Sequence, residues 1–329
     1  MTEFLALSAT DIRELVNMRD IIAAVEEAFR AYGLGASKLG PITLLLLDKY
    51  EGEHEIKTGY VDNYCISTKI LTWYKSNPQR YGIPALTGVI VLNDINDGRT
   101  LAVVDGAYIT ATRTGAAGAV AAKYLARKDS ETVGVIGAGM QGRNQVAALK
   151  EIIRIKHVKV YDAIERASVT YVKEMRDQHK LDVEEAESAS DAVRDADIII
   201  TATQSTKALV MNDWVKEGTH INAIGADAPG KQELDPAILT RADKVVVDSL
   251  TQCVERGEIQ TAVKMGILKK ENIYAELSDI VLGRKKGRTD AKEITVYDAT
   301  GMAVQDITTA YTVYGLAKKK GLGTIVRMN

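Results

Sequence analysis

Apolar positions recur along this chain in successive rhythms. Over residues 18–32 they fall at Ile21, Ile22, Val25, Ala28 and Phe29, the spacing of one helix face, and Gly33 and Gly35 follow as a stop. Ser8-Ala-Thr-Asp-Ile opens the same helical region. From 42 to 109, short β-type runs at 42–47, 66–73, 88–92 and 101–105 are separated by turns such as Asn93-Asp-Ile-Asn-Asp-Gly98. That pattern predicts a meander of antiparallel strands. From 116 to about 297 strand and helix patterns alternate, with strands expected at 133–136, 158–161, 198–202, 220–224 and 244–247. Such alternation predicts a parallel, doubly wound sheet with right-handed crossovers. A short strand at 294–297 and a helix from about 303 to 319 end the pattern, with no internal repeat. The last helix is expected to return to the first part. The expected domains are therefore residues 1–115 with 300–329, and residues 116–299.

One segment gives the alternating region its chemistry. The run Val133–Ile136 enters Gly137-Ala138-Gly139-Met140-Gln141-Gly142, and the helix-forming Gln145-Val-Ala-Ala-Leu-Lys-Glu-Ile-Ile153 follows. This is the strand–turn–helix setting of a dinucleotide site. Gly137 permits the tight turn, Gly139 leaves no Cβ between backbone and pyrophosphate, and Gly142 lets helix and strand pack closely. The N–H groups and dipole of the new helix then face the phosphates. A second strand ends at Asp162, 20 residues past Gly142, where a carboxylate can accept both ribose hydroxyls of NAD and repel a 2′-phosphate. Arg166 can cradle such a phosphate, which keeps NADP open. The expected fold class is α/β, a Rossmann sheet beside a discontinuous α+β domain with antiparallel strands.

Composition narrows the partners. Hydrophobic residues make up 46% and charged residues 26%, an ordinary globular balance. A formal net charge of −2 gives no electrostatic reason to expect nucleic acid or an anionic membrane. The basic runs at 284–288 and 318–320 read as solvated faces. Cys65 and Cys253 lie far apart and form no metal or disulfide pattern. The first residues lack a basic flank and a long apolar core, and no apolar run has membrane length, so a cytoplasmic protein is expected.

Further candidates lie outside the glycine turn. Ile109-Thr-Ala-Thr-Arg-Thr-Gly-Ala-Ala117 is expected to join the β region to the first helix of the alternating region. There Arg113 either makes a two-pronged contact to a carboxylate or caps a turn at the surface. Thr114 can contact a phosphate near the helix start. Lys69 sits in the apolar run Cys65-Ile-Ser-Thr-Lys-Ile-Leu-Thr-Trp73, either partly buried with a lowered pKa or on the outward face of an alternating strand. Lys57, in Ile56-Lys-Thr-Gly-Tyr60, reads alone as solvated. Asp227 follows an expected parallel strand, where ligands of such sheets bind, and can exchange protons with an amine or water. Glu233 and Asp235 are read as starting the next helix in N-terminal dipole roles. Thr203-Gln-Ser205-Thr is a polar loop suited to lining the cofactor. His54, His157, His179 and His220 fall in no triad or metal spacing and receive no role, and no metal is expected.

Together these segments resemble the ornithine cyclodeaminase/mu-crystallin family, closest to its archaeal alanine dehydrogenase branch. The resemblance covers nearly the whole chain. It rests on Arg-Thr-Gly-Ala-Ala-Gly at 113–118, Ala-Lys-Tyr-Leu-Ala-Arg at 122–127 and the glycine turn. It continues in Glu-Gly-Thr-His-Ile-Asn-Ala-Ile-Gly-Ala-Asp at 217–227, Pro-Gly-Lys-Gln-Glu-Leu-Asp at 229–235 and Asp-Ala-Thr-Gly-Met-Ala-Val-Gln-Asp at 298–306. The resemblance implies a homodimer, with the N-terminal strands and C-terminal helix forming the dimer and substrate domain and the middle binding NAD(P). It implies that Lys69 and Asp227 are the catalytic pair and that Arg113 holds the substrate carboxylate. It places Ile224, Gly225 and Ala226 along the cofactor, with Lys231 and the turn to Gly301 near its nicotinamide end. Three stretches depart from the family pattern: 41–47 lacks the basic residue many members carry, His54-Glu-Ile-Lys-Thr-Gly-Tyr60 replaces an Arg or Glu followed by Met-Pro, and Trp73-Tyr-Lys-Ser-Asn-Pro78 differs from the His-Pro of ornithine cyclodeaminases. Lys57 then becomes the replacement cation, and the substrate side chain stays open.

The activity implied is that of an NAD(P)-dependent amino-acid dehydrogenase or imine reductase, acting on a small amino acid, 2-oxo acid or imino acid. Ornithine cyclodeamination with recycled NAD is one alternative. A non-catalytic, mu-crystallin-like binding protein is another.

Overall fold

The computed structural model describes residues 2–328. In chain order the first elements are β1 (Thr2–Leu7), α1 (Ala9–Leu15), α2 (Met18–Gly33), β2 (Ser37–Leu39), β3 (Thr43–Leu47), β4 (Gly52–Val61), β5 (Ile66–Tyr74), α3 (Asn77–Arg80), β6 (Leu86–Asn93), β7 (Thr100–Asp105) and α4 (Gly106–Leu125). The alternating region follows as β8 (Thr132–Ile136), α5 (Met140–Leu149), β9 (His157–Tyr161), α6 (Glu165–His179), β10 (Asp182–Glu185), α7 (Ala189–Val193) and β11 (Ile198–Thr201). It continues through β12 (Thr206–Val210), β13 (His220–Ala223), β14 (Gln232–Leu234), α8 (Pro236–Arg241), β15 (Lys244–Val247), α9 (Leu250–Arg256) and α10 (Gln260–Lys264). Its last elements are β16 (Ala275–Glu276), α11 (Leu277–Val281) and β17 (Thr295–Asp298), and the chain ends with α12 (Ala303–Lys320) and β18 (Thr324–Met328).

The chain divides into two compact units, Met1–Arg113 with Met302–Asn329, and Thr114–Gly301. Both crossings lie two residues from the boundaries read off the sequence, and the first falls inside α4 rather than in a linker.

In the first unit, one sheet runs β18-β1-β7-β6-β5-β4-β2, with β3 also paired to β4. Consecutive strands from β4 to β7 are antiparallel, whereas β1 joins β7 in parallel. Helices α1 and α2 begin with capping boxes, Ser8 with Asp11 and Asn17 with Asp20, which satisfy backbone N–H groups that a helix start leaves open. Helix α12 packs on α2 and across β4, β5 and β6, burying residues such as Val304, Ile307, Ala310 and Val313.

The second unit holds a parallel sheet in the order β10-β9-β8-β11-β13-β17-β15-β16. Strand β8 lies between β9 and β11, at the point where the order reverses, so the loop leaving β8 opens at the switch point where such sheets take ligands. The central strands are buried on both faces, as helix-covered parallel sheets require, although β13 and β17 turn the hydrogen-bonded His220, Asn222 and Thr295 to one of them. Ile199 enters one core with Val245 and Val296, while Ile198 and Ile200 enter another with Val158 and Val160. The pair β12–β14 forms a small separate sheet. Among the described residues no helix is long and apolar enough to cross a membrane.

Candidate functional site

The glycine turn sits between β8 and α5 in the second unit. Gly137 has φ +108°, where a Cβ would also lie 2.6 Å from the Ala202 carbonyl oxygen. A Cβ at Gly142 would collide with the Gly137 carbonyl, so its absence lets α5 close on the turn. Gly139 is the N-cap of α5 and has no side-chain cap; a Cβ there would meet nothing within 4 Å. The turn thus presents uncapped helix N–H groups beside open space. Asp162 fixes it from the end of β9: Oδ2 accepts from the Ala138 N–H at 2.9 Å and Oδ1 from the Ile164 N–H at 2.9 Å. Arg143, unnoticed in the sequence, donates to the Ala138 carbonyl, pairs with Glu174 at 2.5 Å and stacks over the Tyr171 ring. Met140 is exposed, and Gln141 keeps a buried Oε1 that has no donor among the described residues. Open space at Gly139, uncapped N–H groups and an acid at the next strand end fit a dinucleotide.

Three more loops leave the same carboxyl edge. After β11, the Ser205 N–H donates to Thr203 Oγ1 at 3.1 Å. After β13, Ile224, Gly225 and Ala226 are buried and lead to Asp227, whose half-exposed carboxylate pairs with Lys231 at 2.5 Å. Arg256 Nε holds the Asp227 carbonyl at 2.9 Å. After β17, the Thr300 and Gly301 N–H groups both donate to Asp248 Oδ2, at 2.9 and 2.7 Å, and Gly301 has φ +78°. Glu233 is not at a helix start. It lies in β14, fully buried, and accepts from the Thr203 N–H at 2.6 Å and the Gly225 N–H at 2.9 Å. Asp235 does cap α8, accepting from the Ala237 N–H.

The first unit gathers cations on one face of its sheet. Lys57 on β4 stands directly opposite Lys69 on β5. Both are buried, Lys69 at 1% and Lys57 at 5% exposure, which overturns the outward-facing alternative for Lys69 and the solvated reading of Lys57. The reason is register: both point to the side on which α12 packs. Lys69 Nζ pairs with Asp306 Oδ2 at 2.7 Å, and Arg113 Nε with Asp306 Oδ1 at 2.9 Å. Arg113 Nη1 donates to Gln305 Oε1 at 3.0 Å, and Lys57 lies 3.4 Å from Glu55. Burial brings the Lys69 ammonium down to about 8, against the upward pull of Asp306. For Asp306 burial works the other way, yet Arg113 and Lys69 hold its carboxyl below the ordinary range.

Arg113 and Thr114 flank the crossing between the two units, which lies inside a helix and not in a connector. They lie mid-way along α4, which starts at Gly106 because the Asp105 carboxylate accepts the Tyr108 N–H at 2.7 Å. Arg113 therefore is no surface turn cap, and Thr114 offers no helix-start N–H to a phosphate; its carbonyl accepts from Gln145 Nε2 at 2.8 Å. Asp306 and Gln305 went unassigned in the sequence because an acid in the first turn of a helix also serves its dipole. His220 is buried between Thr295 and Asn222 at 2.9 and 3.0 Å, a structural position. No group of three or more His, Cys, Asp or Glu among the described residues has a metal-holding arrangement.

The family model for the ornithine cyclodeaminase/mu-crystallin family matches residues 2–321. The chain belongs to that family. Within the ornithine cyclodeaminase/mu-crystallin family it is 41% identical over 326 residues to an alanine dehydrogenase of Archaeoglobus fulgidus, covering 99% of this chain and 98% of that one. An archaeal alanine dehydrogenase solved as a dimer with bound NAD superposes at a TM-score of 0.93 with 40% identity, covering 100% of both chains. The Delta(1)-pyrroline-2-carboxylate reductase of Thermococcus litoralis, solved with NADH and L-proline, gives a TM-score of 0.94 and 36% identity over 98% of this chain and 99% of that one.

Proposed function

We propose that this chain is an NAD-dependent oxidoreductase acting on the C–N bond of a small amino or imino acid. The observation that carries the reading is Lys69: a buried amine with its pKa brought near 8, set among cations that can hold a carboxylate. The relatives support it, since one is named an alanine dehydrogenase and another a Delta(1)-pyrroline-2-carboxylate reductase solved with NADH and L-proline. NAD(H), when bound, would give or take the hydride.

Arg113 would hold the substrate carboxylate through the guanidinium edge that Asp306 and Gln305 orient. Lys57 would add a second positive charge there, partly offset by Glu55. Lys69 in its ammonium form would donate the proton that the substrate nitrogen needs on reduction and take it back on oxidation. Asp227 would exchange protons with an amine or water where a 2-oxo acid and ammonia are the reactants, and Lys231 would orient its carboxylate. Gly137–Gly142 would receive the pyrophosphate. Asp162, acidic at the ribose position, favours NAD over NADP. Thr203, Ser205, Ile224, Gly225, Ala226 and Gly301 would line the cofactor from the neighbouring loops, and Thr114 would support the turn from beneath through Gln145. The functional molecule would be a homodimer, as the archaeal alanine dehydrogenase is.

Following NADH absorbance with a panel of cyclic imino acids, and of 2-oxo acids with ammonia, tests the proposal. At least one acceptor should consume NADH. Binding of NADH without turnover of any acceptor would leave a binding protein instead, and proline from ornithine without net NADH change would make it a cyclodeaminase.

A further inference from the structure

Three carboxylates buried in the second unit serve no proton transfer in this mechanism, yet they are wired in series. Asp298, at the end of β17, accepts from the Glu258 N–H at 2.9 Å and the Ile259 N–H at 3.1 Å. The Glu258 carboxylate accepts from the Glu233 N–H at 3.0 Å and the Leu234 N–H at 2.7 Å. The Glu233 carboxylate accepts from Thr203 and Gly225. Each acid therefore fixes the backbone of the segment that bears the next, and the series ends on the loops that leave two neighbouring strands, β11 and β13.

Two glycines make room for it. A Cβ at Gly225 would lie 2.5 Å from Glu233 Oε2, and one at Gly257 would lie 2.5 Å from Asp298 Oδ2. The cost of the arrangement is visible in the acids themselves. Burial raises Glu233 despite its bonds from Thr203 and Gly225, raises Glu258 further, and brings Asp298 up to about 7. A surface ion pair could hold a loop with far less desolvation. A carboxylate has two acceptor oxygens, so a single buried side chain can satisfy an N–H from each loop and tie the two backbones together from inside.

We propose that Glu233 is a positioning residue for the reaction assigned above: its carboxylate spans the loops after β11 and β13, setting Thr203 at the cofactor and, through Gly225, the acid Asp227. Asp227 follows Gly225 by two residues, and its N–H bonds the Gly225 carbonyl at 3.1 Å, so a shift of Gly225 carries Asp227 with it. The proposal rests on the functional reading of those loops. Chemistry at a bound substrate is sensitive to such shifts: about 1 Å of misplacement can cost about 100-fold.

Glu233→Gln is the test, because it replaces one acceptor oxygen with an NH2 that faces an N–H and so releases one loop. Gly225→Ala is the companion: it keeps the acid and its charge, but its Cβ would press on both the Thr203 carbonyl and the Glu233 carboxylate and so part the two loops that the acid joins. Asp235→Ala, which removes the cap of α8 and a bond from the Asn212 N–H, is the stability control. NADH affinity by fluorescence titration, kcat and melting temperature are measured for all. Both site variants should weaken NADH binding about 10-fold and lower kcat at least as much, whereas Asp235→Ala lowers the melting temperature and leaves both values in place. If Glu233→Gln and Gly225→Ala melt lower but bind NADH and turn over as the parent does, the acid is structural and the positioning role fails. If either variant does not fold, the other decides. A parent protein that neither binds NADH nor turns over an acceptor would remove the functional reading itself, and the positioning role with it.

Discussion

At Lys69, burial and pairing pull the amine in opposite directions, and burial wins: the ammonium titrates at about 8 although Asp306 lies 2.7 Å away. Two predictions belong to this residue. Lys69→Ala should cut turnover by about 100-fold or more while NADH affinity, assigned here to the glycine turn, is unchanged; full turnover in steady-state assays of that variant would end the proton-donor role. The pH profile follows from the direction of the shift. In the reductive direction the donor must be protonated, so kcat/KM should fall as pH rises through about 8, and the oxidative direction should rise over the same range. Asp306 raises the lysine, so Asp306→Asn should move that limb to lower pH; a limb left in place would show that the lysine is not the titrating group. Little of this could be read from residue types alone. A lysine in an apolar strand is compatible with either face, and only register decides between them. Glu233 was misread for a related reason: an acid just before Pro236 resembles a helix start, although it is Asp235 that caps the helix.

The strands β8, β11 and β15 are near-continuous apolar runs, β9 and β13 alternate polar with apolar residues, and each lies within a residue or so of its expected place. The ten-residue β4 was missed because Lys57, the small Gly59 and the partly buried Glu55 occupy its inner face, so the usual alternation is inverted. Helix α4 was expected to start ten residues later, because Ile109-Thr-Ala-Thr-Arg-Thr-Gly115 has the β-branched and glycine content of a connector. Tertiary contacts override that propensity: the helix interior is buried along most of its length. The glycine turn gives the element-scale prediction. Gly142→Val would drive a side chain into the Gly137 carbonyl and separate α5 from β8. NADH binding, measured by fluorescence titration, should weaken at least about 10-fold; an unchanged affinity would mean that the turn is not the phosphate site.

For the whole molecule, the fold class was readable from the change of period along the chain, from helix to alternating strands to strand–helix repeats, and it is the one the family shares. The partition between units was harder to see in detail, because the chain crosses it inside a helix and again one residue before the cap of α12. The proposed dimer makes a prediction at this scale: light scattering should give twice the 35.8 kDa chain mass, and a monomer at assay concentration would contradict it. Net redox chemistry at a C–N bond shows itself in stoichiometry. With an active acceptor, NADH consumed and amino acid formed should be counted in the same reaction. One NADH should be lost for each amino acid gained. Product formed with no net loss of NADH would contradict it.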